Sequence, residues 1–227
     1  MIKVSNLIMF RLNFYKLNTK KDFKDFIKSI LTSSTDVEKG YIQTLEQKED
    51  SLHAIFYLKV LVEEKISDPF GGTENITYYS YQKIEFFIYK SEKYLLLVIK
   101  DQPKSLKKFI DYLKNNDSLF FSINNFNIKM ENLFEKIIFK IIKAKFNDVE
   151  LSNNAFANIE VNSSANALND FNLLQLKGSK KLTKLKIIED FDDIYFECEF
   201  NEKASFLLKI DYVNLKLIRH IFDKYIS

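Results

Sequence analysis

Glycine, proline, cysteine, arginine and histidine are all scarce in this chain of 227 residues. It holds four Gly and two Pro, where ordinary usage would supply roughly 27 of the two together. Few positions can therefore form tight turns or backbone-lined phosphate loops, and long strands and helices joined by polar turns are expected. Arginine is confined to Arg11 and Arg219, so nearly all the basic charge is lysine. Lysine is a flexible point charge without the planar fork that reads guanine, which disfavours sequence-specific readout of the major groove. A lone Cys198 excludes an intramolecular disulfide and a cysteine zinc site. His53 and His220 are the only imidazoles, and neither stands near a Ser, Cys or Asp in a recognisable nucleophile motif. No Rossmann fingerprint or P-loop occurs. The longest apolar runs, such as residues 94–99, are far too short to span a membrane, and the first residues do not read as a secretory signal. A soluble, cytoplasmic protein without cofactor is the expectation.

What is present is a globular composition: 46% hydrophobic residues, with 22 Phe and 12 Tyr, well away from the signature of disorder. The net charge of +3 is close to neutral. Heavy use of Lys, Asn, Ile and Phe also matches an AT-rich coding sequence, which weakens inference from composition alone.

Hydrophobic periodicity sets out the elements. Ile2, Val4, Ile8, Phe10, Leu12 and Phe14 fall on even positions, predicting a half-buried first strand. Phe23, Phe26, Ile27, Ile30 and Leu31 fall at helical spacing, predicting a helix over 20–33 behind a capping Asn18-Thr19. Strands follow over 41–47, 52–63 and 76–90. In the second of these, Leu52, Ala54, Phe56, Leu58, Val60 and Val62 form an unbroken apolar face, which fixes the register. Residues 68–75 read as loop. A strongly apolar strand at 94–99 precedes a helix opened by Pro103. Leu133, Phe134, Ile137, Ile138, Ile141 and Ile142 predict a helix over 130–146 that bridges two halves, and residues 147–154 read as a linker. Beyond it come a strand at 156–161, a helix at 165–176, strands at 182–188, 194–200 and 205–210, and a last helix at 214–226. Cys198 lies in the alternating run Ile194, Phe196, Cys198, Phe200, which makes it a small core residue.

The fold class expected is α+β, with antiparallel sheets and helices packed on one face. Residues 1–118 form one half, 119–149 a strand and the bridging helix, and 150–227 the other half. At a constant shift of 110, Ile84, Phe86, Glu92, Lys93, Leu97 and Asp101 match Ile194, Phe196, Glu202, Lys203, Leu207 and Asp211, which points to two related halves. Strand, helix, four strands, helix is an element order that resembles a TATA-box-binding-protein-like repeat. The likeness covers about the first 115 residues and, more loosely, the last 75. No motif of that family occurs here, so the resemblance assigns no residue a role.

Three surfaces stand out. On the odd-numbered side of the long strands, His53, Tyr57 and Lys59 are followed by Tyr79, Tyr81, Lys83, Phe87 and Tyr89. Aromatics alternating with Lys on one sheet face can stack exposed bases and hold a backbone; the alternative is a face packed beneath other elements. Lysines recur along the helices, including Lys136, Lys140 and Lys143 on the bridging helix. Such stripes either track phosphates or solvate a helix exterior. Glu189, Asp190, Asp192 and Asp193 cluster at a hairpin tip, suited to a hard cation or a basic partner, or simply to water.

The expected function is a non-enzymatic binding or accessory subunit that works with a protein partner inside a complex, or on nucleic acid through the aromatic–lysine face and the Lys-striped helices. No membrane contact is expected. One rival is a metal-dependent nuclease using Glu197, Glu199 and Asp211, with Lys209 beside them. Another is a protein–protein module, such as an immunity or antiviral-defence partner, that docks through strand edges.

Overall fold

A computed structural model of the chain describes residues 7–32, 40–67, 69–114, 121–133, 140–152, 155–172 and 180–227. Among these residues the elements run β1 (Ile8–Thr19), α1 (Phe23–Thr32), β2 (Tyr41–Gln47), β3 (Ser51–Ser67), β4 (Thr73–Lys90), β5 (Leu95–Lys100), α2 (Lys107–Lys114) and β6 (Phe121–Asn125). After a 3-10 turn at Met130–Leu133 come β7 (Lys140–Ser152), β8 (Ala155–Asn162), α3 (Ala167–Asn172), β9 (Lys181–Phe191), β10 (Ile194–Asn201), β11 (Ser205–Ile210) and α4 (Leu215–Tyr225). The described residues are thus mostly antiparallel strand, with four α-helices. No helix among them is long and apolar enough to cross a membrane.

The chain divides into two compact units, Lys16–Asn124 and Met1–Tyr15 with Asn125–Ser227. In the first, the ladder runs β2-β3-β4-β5. Opposed pairs Leu52 with Ile88, Ala54 with Phe86 and Phe56 with Ile84 put every one of these six side chains on one face, where all are buried. Helix α2 supplies Phe109 and Tyr112, whose rings lie 5.3 and 4.7 Å from Phe56. Helix α1 buries Phe26, Ile27 and Ile30, the helical spacing seen in the sequence. Gly40 enters β2 at φ +127°, and a methyl group there would sit 2.7 Å from the Phe56 ring and 2.8 Å from the Tyr57 carbonyl oxygen. Only glycine fits that combination of backbone angle and close approach.

In the second unit the ladder runs β1-β11-β10-β9-β7-β8. Phe196, Cys198 and Phe200 of β10 meet Phe206, Leu208 and Ile210 of β11, and all six are at most 1% exposed. Helix α4 closes this core with Leu217, Ile218, Ile221, Phe222 and Tyr225. Its N-cap is Asn214, whose side chain accepts from the Leu217 amide at 2.8 Å. The β9–β10 turn places Asp192 and Asp193 at φ 55° and 62°, the twist a two-residue hairpin requires.

Among the described residues the bridging helix does not appear: Met130–Leu133 is a 3-10 turn, and residues 134–139 lie outside them. Residues 140–146 belong to β7, which continues through 147–152, so the proposed linker is strand as well. Two register shifts against β9 and two against β8 interrupt the period of two within β7, while residues 134–139, which carried much of the helical pattern, lie outside the described residues. Three of these shifts add a residue in β7 and one adds a residue in β9, and Ile141, Ala144, Phe146 and Val149 become the buried positions, spaced three, two and three apart. That pattern imitates a helical face although the backbone is extended. Asp148, at φ 54°, sits in one of these irregularities.

Candidate nucleic-acid interface

Strands β3 and β4 are far longer than their neighbours. Pairing with β2 stops at Tyr57 and pairing with β5 at Glu85, whereas β3 and β4 stay paired out to Ser67 and Thr73. Among the described residues, 58–67 and 73–82 pair only with each other and form a two-stranded arm. At about 3.3 Å per residue the arm is roughly 33 Å long. Phe70 in its tip is 98% exposed.

Period-two alternation gives the arm two unlike faces. The odd-numbered face carries Lys59, Leu61, Glu63 and Lys65 from β3 against Tyr81, Tyr79, Thr77 and Asn75 from β4, with Lys83 opposite Tyr57 at its base. Tyr79 and Tyr81 are 60% and 53% exposed. The Lys59 ammonium reaches diagonally to lie 4.0 Å over the Tyr79 ring, and Lys83 Nζ lies 5.6 Å from the Tyr57 ring centre. Tyr57 in turn stacks on Tyr41 of β2 at 4.9 Å and 11°. The result is a run of aromatic rings interleaved with ammonium groups, each cation drawn to a ring face.

Below the arm the same face is closed. Phe87 and Tyr89, expected as outward residues, are 1% and 2% exposed. Residues 86–89 are all buried, as are 96–99 of β5, so these strands are covered on both sides. Their uninterrupted apolar runs are the sequence signature of that situation. The His53 ring lies flat on Phe87 at 4.0 Å, and its Nε2 is 3.0 Å from Glu85 Oε1. Lys100, directly opposite Glu85 on β5, donates to the other carboxylate oxygen at 2.8 Å. The hydrogen bond with His53 and then the bond and charge of Lys100 hold the Glu85 carboxyl down at about 2, against burial, which pushes it up. His53 is therefore part of a structural network at the base of the arm.

Compared with known proteins, the chain matches no family model, and no curated protein shows significant sequence similarity to it.

The remaining expected residues lie elsewhere. Lys140 and Lys143 are on strand β7 of the other unit, not on a helix stripe, and Lys143 is paired with Glu160 at 2.8 Å. Lys136 lies outside the described residues. On α4, Lys216 donates to Asp192 at 2.6 Å and Lys224 to Glu189 at 2.6 Å. The carboxylates of the nuclease reading are bound by lysines: Glu197 by Lys186 at 2.7 Å and Lys209 at 3.6 Å, and Glu199 by Lys184 at 2.7 Å. Lys186 and Lys209 hold the Glu197 carboxyl below the usual range. Among the described residues, no three His, Cys, Asp or Glu side chains converge as a metal site would require.

Asp190, Asp192 and Asp193 are exposed at the hairpin tip, whereas Glu189 departs from the solvated-tip reading. It is 2% exposed, because Leu185, Ile187 and Glu189 share the core-facing side of β9. His220 and Lys224 of α4 contact its carboxylate at 2.7 and 2.6 Å, and Tyr225 donates a third hydrogen bond. Burial and this acidic partner drive the Tyr225 phenol far upward, and burial does the same to the Cys198 thiol. Tyr41 was also missed, since its role depends on the β2–β3 register that sets it opposite Tyr57. The alternation of Leu185, Ile187 and Glu189 was a usable signal; the Tyr41 pairing left none.

Proposed function

We infer that the protein is a non-enzymatic binding subunit whose β3–β4 arm takes up single-stranded nucleic acid on its odd-numbered face. The observation that carries this reading is the exposed pair Tyr79 and Tyr81, two residues apart on one strand face, with Lys59 and Lys83 beside them. Rings at alternate strand positions stand roughly 7 Å apart, a spacing suited to successive bases splayed from an extended strand. Stacking contributes about 1–3 kcal/mol per base. Lysines alongside meet phosphates without reading the base, so affinity with little sequence preference is the expected behaviour.

The test is binding of fluorescently labelled single-stranded DNA and RNA at low and physiological salt. With two lysines engaged, log K should fall with log salt at a slope of roughly −1.4. Tyr79→Ala with Tyr81→Ala should weaken binding at least ~10-fold. Absence of binding at low salt, or no effect of the double substitution, removes the reading.

The arrangement also supports two related halves. The β4–β5 hairpin leading to α2 and the β10–β11 hairpin leading to α4 repeat one element order, and the matched Phe86 and Phe196 are both fully buried.

A further inference from the structure

The even-numbered face of the arm has a different chemistry. It continues the core face of Leu52, Ala54 and Phe56 past the last ring covered by α2. Leu58, Val60, Val62 and Ile66 on β3 stand beside Ile76 and Tyr78 on β4. Leu58, Val60 and Val62 are half-buried, whereas Ile66, Ile76 and Tyr78 are exposed. An apolar stripe of this length on a two-stranded arm is a surface built to be covered.

Charge indicates what covers it. Among the described residues, the charged side chains on this face are Glu64 and Glu74, near the tip, and Tyr78 donates to Glu64 at 2.8 Å, holding that carboxylate on the face. At the base, residues 104–114 expose Lys104, Lys107, Lys108 and Lys114, with Asp111 the one acid within that range and Asp101 exposed just ahead of it. An element that lays apolar side chains along the stripe, acid against the lysines and base against the acids, is the same arm turned end for end. A parallel arrangement would instead set Glu64 and Glu74 against their own copies.

We propose that this face is a two-fold self-association surface, on which a second copy of the chain lays its arm antiparallel, each acidic tip meeting the other's α2 lysines. A ribbon about 33 Å long and 10 Å wide offers roughly 300 Å² of footprint per copy, well below the ~800 Å² per partner of a standard stable interface. The tip-to-α2 contacts are therefore a necessary part of the interface, and the dimer is a reversible one. The surface is independent of the nucleic-acid reading, because it uses the opposite side of the arm.

Sedimentation velocity over a concentration series tests it on the intact chain. Wild type should pass from monomer to dimer and stop there. Val62→Glu, on the exposed arm and remote from the cores, should weaken association at least ~10-fold, with an unchanged circular dichroism spectrum and unchanged single-strand binding. Lys107→Glu with Lys108→Glu should also weaken it, and adding Glu64→Lys with Glu74→Lys should restore it. Val62→Cys should give a disulfide-linked dimer on mild oxidation, since Cys198 is buried and will not compete. A wild-type monomer at every concentration, open-ended association, or indifference to Val62→Glu or to the charge reversals overturns the proposal.

Discussion

The Glu85 carboxylate offers a measurement in which the structure fixes both sign and size. Its folded pKa of about 2 lies below the ordinary 4.5, so its contribution to stability is complete above about pH 5 and is lost as the pH falls through 4.5 towards 2. Taken at face value, that displacement corresponds to roughly 3 kcal/mol at neutral pH. The side chain is 27% exposed, however, and solvent screening of the Lys100 charge brings the expected contribution down to about 1–2 kcal/mol. Glu85→Gln keeps the shape and removes the charge. Urea unfolding, followed by far-ultraviolet circular dichroism because the chain has no tryptophan, should show the variant less stable than wild type by about 1–2 kcal/mol at pH 7. The gap should close to under ~0.5 kcal/mol only near pH ~1.5, below the folded pKa, where the wild-type carboxyl has largely taken up its proton. Comparing the two proteins at each pH cancels the other titrating groups. A cost that is the same at both ends of the range would refute the argument, since the glutamine would then be losing packing and not charge.

Two further substitutions probe the cores. Gly40→Ala should destabilise by roughly 3 kcal/mol or more, combining positive-φ strain with a methyl driven into Phe56 and the Tyr57 carbonyl; a loss under ~1 kcal/mol in a thermal or urea titration would contradict it. Glu189→Gln should cost about 3–5 kcal/mol, because His220, Lys224 and Tyr225 would face a neutral amide in a buried site. The urea midpoint should fall with the slope unchanged, and an unaltered midpoint would show that the network carries no net stability.

The long alternating strands were legible because one face was buried and the other was not. Leu52, Ala54 and Phe56 gave β3 its register, and Phe26, Ile27 and Ile30 gave α1 its helical stripe. The signal failed where that condition failed. In β7, bulges changed the spacing of the buried residues to threes and twos, and Ile141 with Ile142 passed for a helix. In β4, Phe86, Phe87, Ile88 and Tyr89 are buried on both faces, so parity alone assigned Phe87 and Tyr89 to the outside. The Tyr79, Tyr81, Lys59 and Lys83 surface was visible in sequence. What was not visible is that it stands on an arm, because the length of β3 and β4 beyond β2 and β5 is a property of pairing and not of composition.

The seventeen paired positions of β3 and β4 run from the centre of the sheet to the tip without a bulge. A slip of one residue at the tip would have to be accommodated along the whole ladder and would turn Phe56 and Phe86 out of the core. The arm behaves mechanically as a cantilever keyed at its root: a pull on its end cannot be relieved by sliding, only by peeling the ladder rung by rung. Amide exchange should accordingly be graded, fast near Thr73 and slowing steadily towards Ile88, with the steepest change where β2 and β5 join the ladder.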